Sequence, residues 1–453
     1  MSNGHGAFLE RLQGILKPDR PEIEAAETSD PRTVAKLRAT EHVFGRMFPR
    51  QEEQPSDEKL AALANAMREQ QDDASGLSSI PAGMTFLGQF IDHDLTLETI
   101  SKLGITEQND EELPNFRTPR LELDSVYRSG PGMFPFLYDR RFHLVAGTSS
   151  NPRDLPRNNA DVALIGDPRN DENLFISQLH GLFLRLHNFI LDDMTGGSDP
   201  TAEHFARAQR KVRDVYQGII VDDYLPAIVD GDVLRPLLEG FWNGKLPGPY
   251  NWDEAPDMPF EFSAAAFRFG HSQVRGSYMV NASRRVRLFD LGGFQAVPAD
   301  HNIDWNLFFD HGDGKVQFAR QIDTRIADTL LNLPDRVADG GPVSLPFRNM
   351  QRGQQTFRLP YGEVVAEALG VHPIDKHQKV IDAQLDQTPL WFYVLAEAEA
   401  FGGRLGPVGG TLVAGTLLNL LLRDDDSIVK RRGDLHVDGL DALTLSSVAK
   451  LVG

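Results

Sequence analysis

Residues 83–97 read GMTFLGQFIDHDLTL. Wound into an α-helix, the segment sets Gln89, Asp92 and His93 at i, i+3 and i+4, so all three face one way. Asp94 is turned about 100° from His93 and meets a different neighbour. Phe86, Phe90 and Leu95 flank the polar cluster. A cluster of this kind on an otherwise apolar helix calls for a polar object against it. The plainer alternative is an aspartate–histidine pair that satisfies itself in the core.

Four other stretches set polar groups among apolar ones. LIGDPRNDENLFISQLHGLFLRLHN (164–188) contains RNDEN, which by itself reads as a solvated, well-capped helix start. From 171 to 194 the chain is acidic at first and then apolar almost throughout, as a central buried helix would be. His180 and His187 stand seven apart on one face of it, but nothing nearby completes a metal set; with His143 they read as structural. AAAFRFGHSQV (264–274) places Arg268 and His271 at i and i+3, and a lone histidine on an apolar helix is more often structural. SLPFRNMQRG (344–353) carries Asn349. In RTPRLELDSVY (117–127), Thr118, Arg120, Glu122 and Asp124 alternate, which an edge strand with an acidic face would also produce.

Taken together and in order, these stretches resemble the animal-type haem peroxidases of the peroxidase–cyclooxygenase superfamily and their bacterial relatives. SGLSSIPAGMTFLGQFIDHDLTLE (75–98) resembles the distal-helix signature, and GGRLGPVGGTLVAGTLLNLLL (402–422) also fits. The resemblance implies that His93 is the distal acid–base residue and that Gln89 lines the peroxide and halide pocket. Asp92 would be an ester link to a haem methyl, Arg169 the catalytic arginine and Glu172 the second ester acid. Asn173 stands where a sulfonium-linked subset of the family has methionine, which implies two esters and no sulfonium. His271 would be the axial ligand of iron, a usual role for neutral imidazole in peroxidases. Gly270 would let a flat macrocycle approach the backbone, with Arg268 also on the cofactor. An Asn349 oxygen accepting the His271 Nδ1–H would fix that ring's tautomer. Asp94, Thr118, the Arg120 carbonyl, Glu122 and Asp124 resemble a calcium loop of oxygen ligands, with Glu122 where the family usually has aspartate.

The implied activity is oxidation of small donors (halides, thiocyanate or aromatic compounds) by hydrogen peroxide. The implied cofactors are a haem b derivative held by esters, and Ca2+. Fatty-acid dioxygenases of the same superfamily carry a radical-forming tyrosine three residues before the proximal histidine; here that position is Arg268. A non-enzymatic haem- or calcium-binding protein would have no need of Arg169 and His93 together.

Composition agrees with an enzyme of this class. The 453 residues are 41% hydrophobic and 25% charged, which fits an ordinary globular chain rather than a disordered one. The absence of cysteine excludes disulfides, iron–sulfur clusters and thiolate-ligated haem. A net charge of -19 repels phosphate backbones and argues against a nucleic-acid partner. No apolar run reaches the ~18 residues of a membrane span, and the first residues lack the pattern of a secretory signal. A soluble protein, cytoplasmic or exported without a leader, is expected.

Periodicity predicts helices near 59–68 (capped by Ser56 or Asp57), 84–98, 171–194, 203–230, 260–274, 316–332, 375–400 and 409–423. The fold expected is mainly α: one large helical haem-peroxidase domain over 57–430 with little β structure. Residues 1–56 read as an N-terminal extension, with a stripe of Phe8, Leu9, Leu12, Ile15 and Leu16 that would dock on the body. Residues 431–453 read as a C-terminal tail.

Overall fold

The computed structural model describes residues 42–69, 76–97, 114–115, 117–248, 250–290, 293–338, 341–431 and 437–453; the Phe8–Leu16 stripe lies outside them. The longer helices are α1 (Asp57–Ala66), α2 (Gly83–Leu95), α3 (Leu174–Thr195), α4 (Ala202–Ile219) and α5 (Gly231–Trp242). They are followed by α6 (Leu345–Met350), α7 (Gly362–Ala368), α8 (Leu390–Ala400), α9 (Pro407–Arg423) and α10 (Leu445–Val452). Strands are short, so the fold is mainly α as expected. No helix among the described residues is long and apolar enough to cross a membrane.

The centre is the pair α2 and α3. Phe86 stacks on Phe175 at 4.3 Å and Phe90 on Phe183 at 4.9 Å. One turn of α2 is thereby locked onto two turns of α3, which fixes the rotation of α2 about its own axis. Gly83 is required where α2 begins, because a Cβ there would lie 2.3 Å from the Phe309 ring. The α3 helix starts at Leu174, later than the acidic run suggests. Asn173 accepts hydrogen bonds from the Phe175 and Ile176 amides, a cap worth ~1 kcal/mol over alanine. Residues Pro168–Asp171 before it form a 3-10 turn capped by Asp167.

Three expectations are corrected. The 260–274 segment is a π turn, Glu261–Ala265, followed by a 3-10 turn, Ala266–His271. Side chains replace the missing α-helical bonds there: Trp391 Nε1 donates to the Arg268 carbonyl and Arg268 Nε to the Ser263 carbonyl. The 316–332 segment holds a strand, Phe318–Arg320, paired antiparallel with Leu77–Pro81, and is helical only over Asp328–Leu331. Ala319, Ile322 and Ile326 are buried with the spacing of a helix. Their neighbourhood bonds elsewhere, however, through the Gln321 amide to Gly76 and the Ile326 amide to Met67. The 375–400 segment is two helices, Gln378–Asp382 and α8, interrupted before Pro389.

Both ends of the described chain are built into the body. The strand His42–Gly45 pairs with Pro114–Asn115 and with Met258–Pro259, and Phe44 stacks on Phe260 at 5.4 Å. Helix α10 packs on α3 through Leu445 and Val448, with Arg185 Nε donating to the Val452 carbonyl.

Candidate haem site

A cavity of about 750 Å³ opens between α2 and the turn that carries His271. Gln89, Asp92, His93, Arg169, Glu172, Arg268, His271 and Asn349, picked out separately along the sequence, all line it. Asn173 lines it as well.

On one wall, His93 is buried, and its Nδ1 lies 2.8 Å from Asn170 Oδ1. A carbonyl oxygen only accepts, so with the amide placed this way Nδ1 donates to it, which in a neutral ring leaves Nε2 bare. That Nε2 is 3.8 Å from Glu172 Oε1. Arg169 donates from Nη2 to the His93 carbonyl and to Asp167 Oδ2, each at 2.8 Å. Asp167 also receives Arg117 Nη2 at 2.5 Å. Two guanidiniums hold the buried Asp167 carboxyl well below the usual range against the cost of burial. Gln89 Nε2 donates to Glu172, and Asn173 Nδ2 donates back to Gln89 Oε1 at 3.3 Å. Burial pushes Glu172 up to about 7; Arg169 opposes the shift, while Asp167 and Asp92 add to it. Asp92 accepts from Thr96 Oγ1 at 3.0 Å.

The opposite wall is simpler. The amide of Asn349 stands 2.9 Å from His271 Nδ1, with Nδ2 toward the ring. Turned about its axis, the same amide would present Oδ1 to an Nδ1–H and leave Nε2 bare. Burial, helped by the Arg268 charge, pushes His271 down to about 3, so the ring is neutral and fit to be a ligand. Phe260, Phe267, Leu288, Leu330, Leu333 and Val337 supply apolar lining.

The haem expected from the sequence fits this cavity. One histidine on α2 and one on the 3-10 turn line it together with apolar side chains, and a Cβ on Gly270 would project into open space. Arg348 and Arg352 line the cavity beside Arg268, suited to the acid groups of a haem. Sequence reading missed these two, although Asn349 and Arg352 stand at i and i+3. It also missed Asn170, whose neighbours Arg169 and Glu172 attracted the notice.

The expected calcium set does not gather in the same way. Leu121 and Leu123 adopt left-handed backbone (φ 54° and 58°), and a helical turn begins at Asp124. The alternation of an extended loop is therefore lost between Thr118 and Asp124. Asp94 is buried and accepts from the amides of Leu123 and Ser125. Asp124 is paired with Arg117 Nη1 at 2.5 Å, and the carbonyl of Glu122 receives Arg213 Nε. Arg120 is exposed. Among the described residues no three acidic or histidine side chains converge as metal ligands. Asp94 is pushed up to about 7, chiefly by burial, with Asp124 and Glu122 adding to it. His143 and His187 are held in ordinary structural contacts, to Asp139 and Asp192 and to Tyr127 and the Phe142 carbonyl respectively.

Residues 104–292 match the family model described as animal haem peroxidase. Thyroid peroxidase of Rattus norvegicus is 25% identical over 374 residues, covering 71% of this chain and 39% of that protein. Heme peroxidase 2 of Caenorhabditis elegans is 28% identical over 319 residues, covering 63% and 42%. The chain thus spans about two fifths of the length of these relatives. Among solved structures, peroxidase A from Dictyostelium discoideum superposes with a TM-score of 0.61 at 17% identity, covering 91% of this chain and 92% of that one. A fatty acid alpha-dioxygenase of Oryza sativa gives 0.62 at 16%, covering 85% and 76%.

Proposed function

We propose that this chain, which matches the animal haem peroxidase family model over residues 104–292, is a haem-dependent peroxidase that uses hydrogen peroxide to oxidise a small donor. The observation that carries the reading is the distal wall: a bare His93 Nε2 and the Arg169 guanidinium line one cavity opposite a neutral His271.

His271 would hold the iron, Asp92 and Glu172 would form the esters, and Arg268, Arg348 and Arg352 would bind the acid groups. When bound, haem supplies the redox chemistry that peroxide cleavage and donor oxidation require. His93 Nε2 takes a proton from one oxygen of the peroxide and returns it to the oxygen that leaves. Arg169, aimed by Asp167, stabilises the negative charge that grows as the O–O bond breaks. Gln89 orients the small molecule beside His93. Asn173 forms no sulfonium, so chloride, the hardest of the halides to oxidise, is expected to be a poor donor near pH 7. Bromide, iodide, thiocyanate or a phenol fits better.

The dioxygenase alternative is favoured by the fold alone. Arg268 stands where those enzymes carry the tyrosine that starts their reaction, and both ester acids face the cavity. A calcium ion near Asp94, Glu122 and Asp124 would offset the burial and neighbouring charge that push Asp94 up, in competition with Arg117 and the two amides that already meet these carboxylates.

The test is the optical spectrum of haem-loaded protein before and after peroxide, followed by denaturation in acidic organic solvent. Peroxide should oxidise the haem, and the haem should then stay with the chain. Asp92→Ala combined with Glu172→Ala should release it. An inert spectrum overturns the peroxidase, and complete haem loss from peroxide-treated wild type overturns the esters.

A further inference from the structure

Behind His93 lies a buried pair of side chains that the chemistry above does not use. Asn170 is fully buried, with Oδ1 2.8 Å from His93 Nδ1 and Nδ2 3.0 Å from His180 Nδ1. It sits in the same 3-10 turn as Arg169, just before Glu172. That turn sends Arg169 and Glu172 to the cavity and Asn170 to the far side of the His93 ring.

The two ends of an amide are not interchangeable: the oxygen accepts and the nitrogen donates. With Oδ1 toward His93 and Nδ2 toward His180, His93 Nδ1 donates and His180 Nδ1 accepts. His93 then presents a bare Nε2 to the cavity. The reverse arrangement would turn the amide over and exchange the tautomer of both rings. It would place a hydrogen on His93 Nε2 and leave that ring no basic nitrogen toward the cavity. The two rings are therefore linked through one amide: a bare Nδ1 on His180 goes with a hydrogen on His93 Nδ1. The His180 ring hydrogen then sits on its buried Nε2, which has no partner among the described residues. His180 is completely buried, packs edge-on to Phe90, and is held neutral by burial.

We propose that Asn170, backed by His180, is a positioning residue that holds His93 in the tautomer with its Nε2 bare toward the cavity. The proposal deepens the peroxidase reading and rests on it for its consequence, though not for its geometry. A partner that only filled space behind the ring would affect folding but would favour neither nitrogen.

Two measurements test it. The first is nitrogen-15 NMR of the full-length chain carrying labelled histidine, in the diamagnetic ferrous carbonyl form, with His93 assigned by its loss in His93→Ala. Wild type should show the ring hydrogen on Nδ1, and Asn170→Ala should show a mixture or the other tautomer. The second is rapid mixing of the ferric protein with peroxide. Asn170→Ala should slow oxidation of the haem ~10-fold or more, the order expected when the partner of a functional histidine is removed. The later step, reduction by donor, should be unchanged. Asn170→Asp, which keeps an acceptor at the same reach, should restore most of the rate. A ring hydrogen on His93 Nε2 in wild type, or equal tautomers and rates in wild type and Asn170→Ala, overturns the proposal. If Asn170→Ala does not fold, the wild-type tautomer and the Asn170→Asp rate still decide. If the loaded protein ignores peroxide, the peroxidase reading fails, while NMR of the haem-free chain still reads the tautomer.

Discussion

The two walls of the cavity are built on different plans. The His93 wall combines an α-helix, a capped 3-10 turn and a buried network that joins Arg117, Asp167 and Arg169, then Asn170 and His180. The His271 wall is a π turn running into a 3-10 turn, with one amide contact at the histidine and Trp391 bracing the backbone. A wall that moves protons needs every donor and acceptor fixed. A wall that supplies one lone pair needs a neutral ring held at a set angle. On the proposed reading, the two contact plans suit two different tasks.

That contrast can be broken in several places. The largest effect is expected at the histidines themselves. His93→Ala should keep haem but slow its oxidation by peroxide ~10²–10⁴-fold, whereas His271→Ala should lose haem affinity or axial ligation. Identical peroxide rates for His93→Ala and wild type, measured by rapid mixing, would show that another group is the base.

Next comes Asp167. Its carboxylate is 1% exposed and lies between two guanidiniums. Asp167→Asn leaves buried positive charge uncompensated and should cost ~3–5 kcal/mol, read by urea denaturation. A loss below ~1 kcal/mol would mean that the network is not what stiffens the distal wall.

Glu172 gives a pH signature. Its folded value of about 7 lies above that of an unfolded glutamate, so the folded state binds this proton more tightly. The stability it confers is full below pH ~4.5 and is lost as pH rises through about 7. Glu172→Gln, measured before peroxide treatment, should therefore be flatter across that window. It should be more stable than wild type by on the order of 2 kcal/mol at pH 8. Parallel stability curves would place the strain elsewhere.

The smallest effect belongs to the proximal wall. Asn349→Ala should weaken haem binding roughly 10-fold and leave unfolding of the haem-free chain almost unchanged. A loss of stability as large as that of Asp167→Asn would erase the contrast between the walls.

Much of this was legible in the chain. The helical periodicity of 83–97 placed Gln89, Asp92 and His93 on one face, and the helix expected from 171 exists but begins at Leu174, behind its Asn173 cap. These are local effects: a helix face follows from 3.6 residues per turn, and a cap from one side chain reaching its own backbone. Where local signals compete with distant partners, sequence alone misleads. Ile322 and Ile326 kept a helical spacing in a segment whose amides bond to Gly76 and Met67. The alternation from Thr118 to Asp124 suggested an extended ligand loop, but left-handed Leu121 and Leu123 fold it around the Asp94 carboxylate. His180 looked structural because nothing near it in sequence completes a site. Only the packing of α2 on α3 brings Asn170 between His180 and His93. The sequence by itself named most of the groups proposed to do the chemistry. The tertiary structure decided which nitrogen of His93 meets Asn170, and on the proposed reading the ring hydrogen follows that partner across space and not the neighbours along the chain.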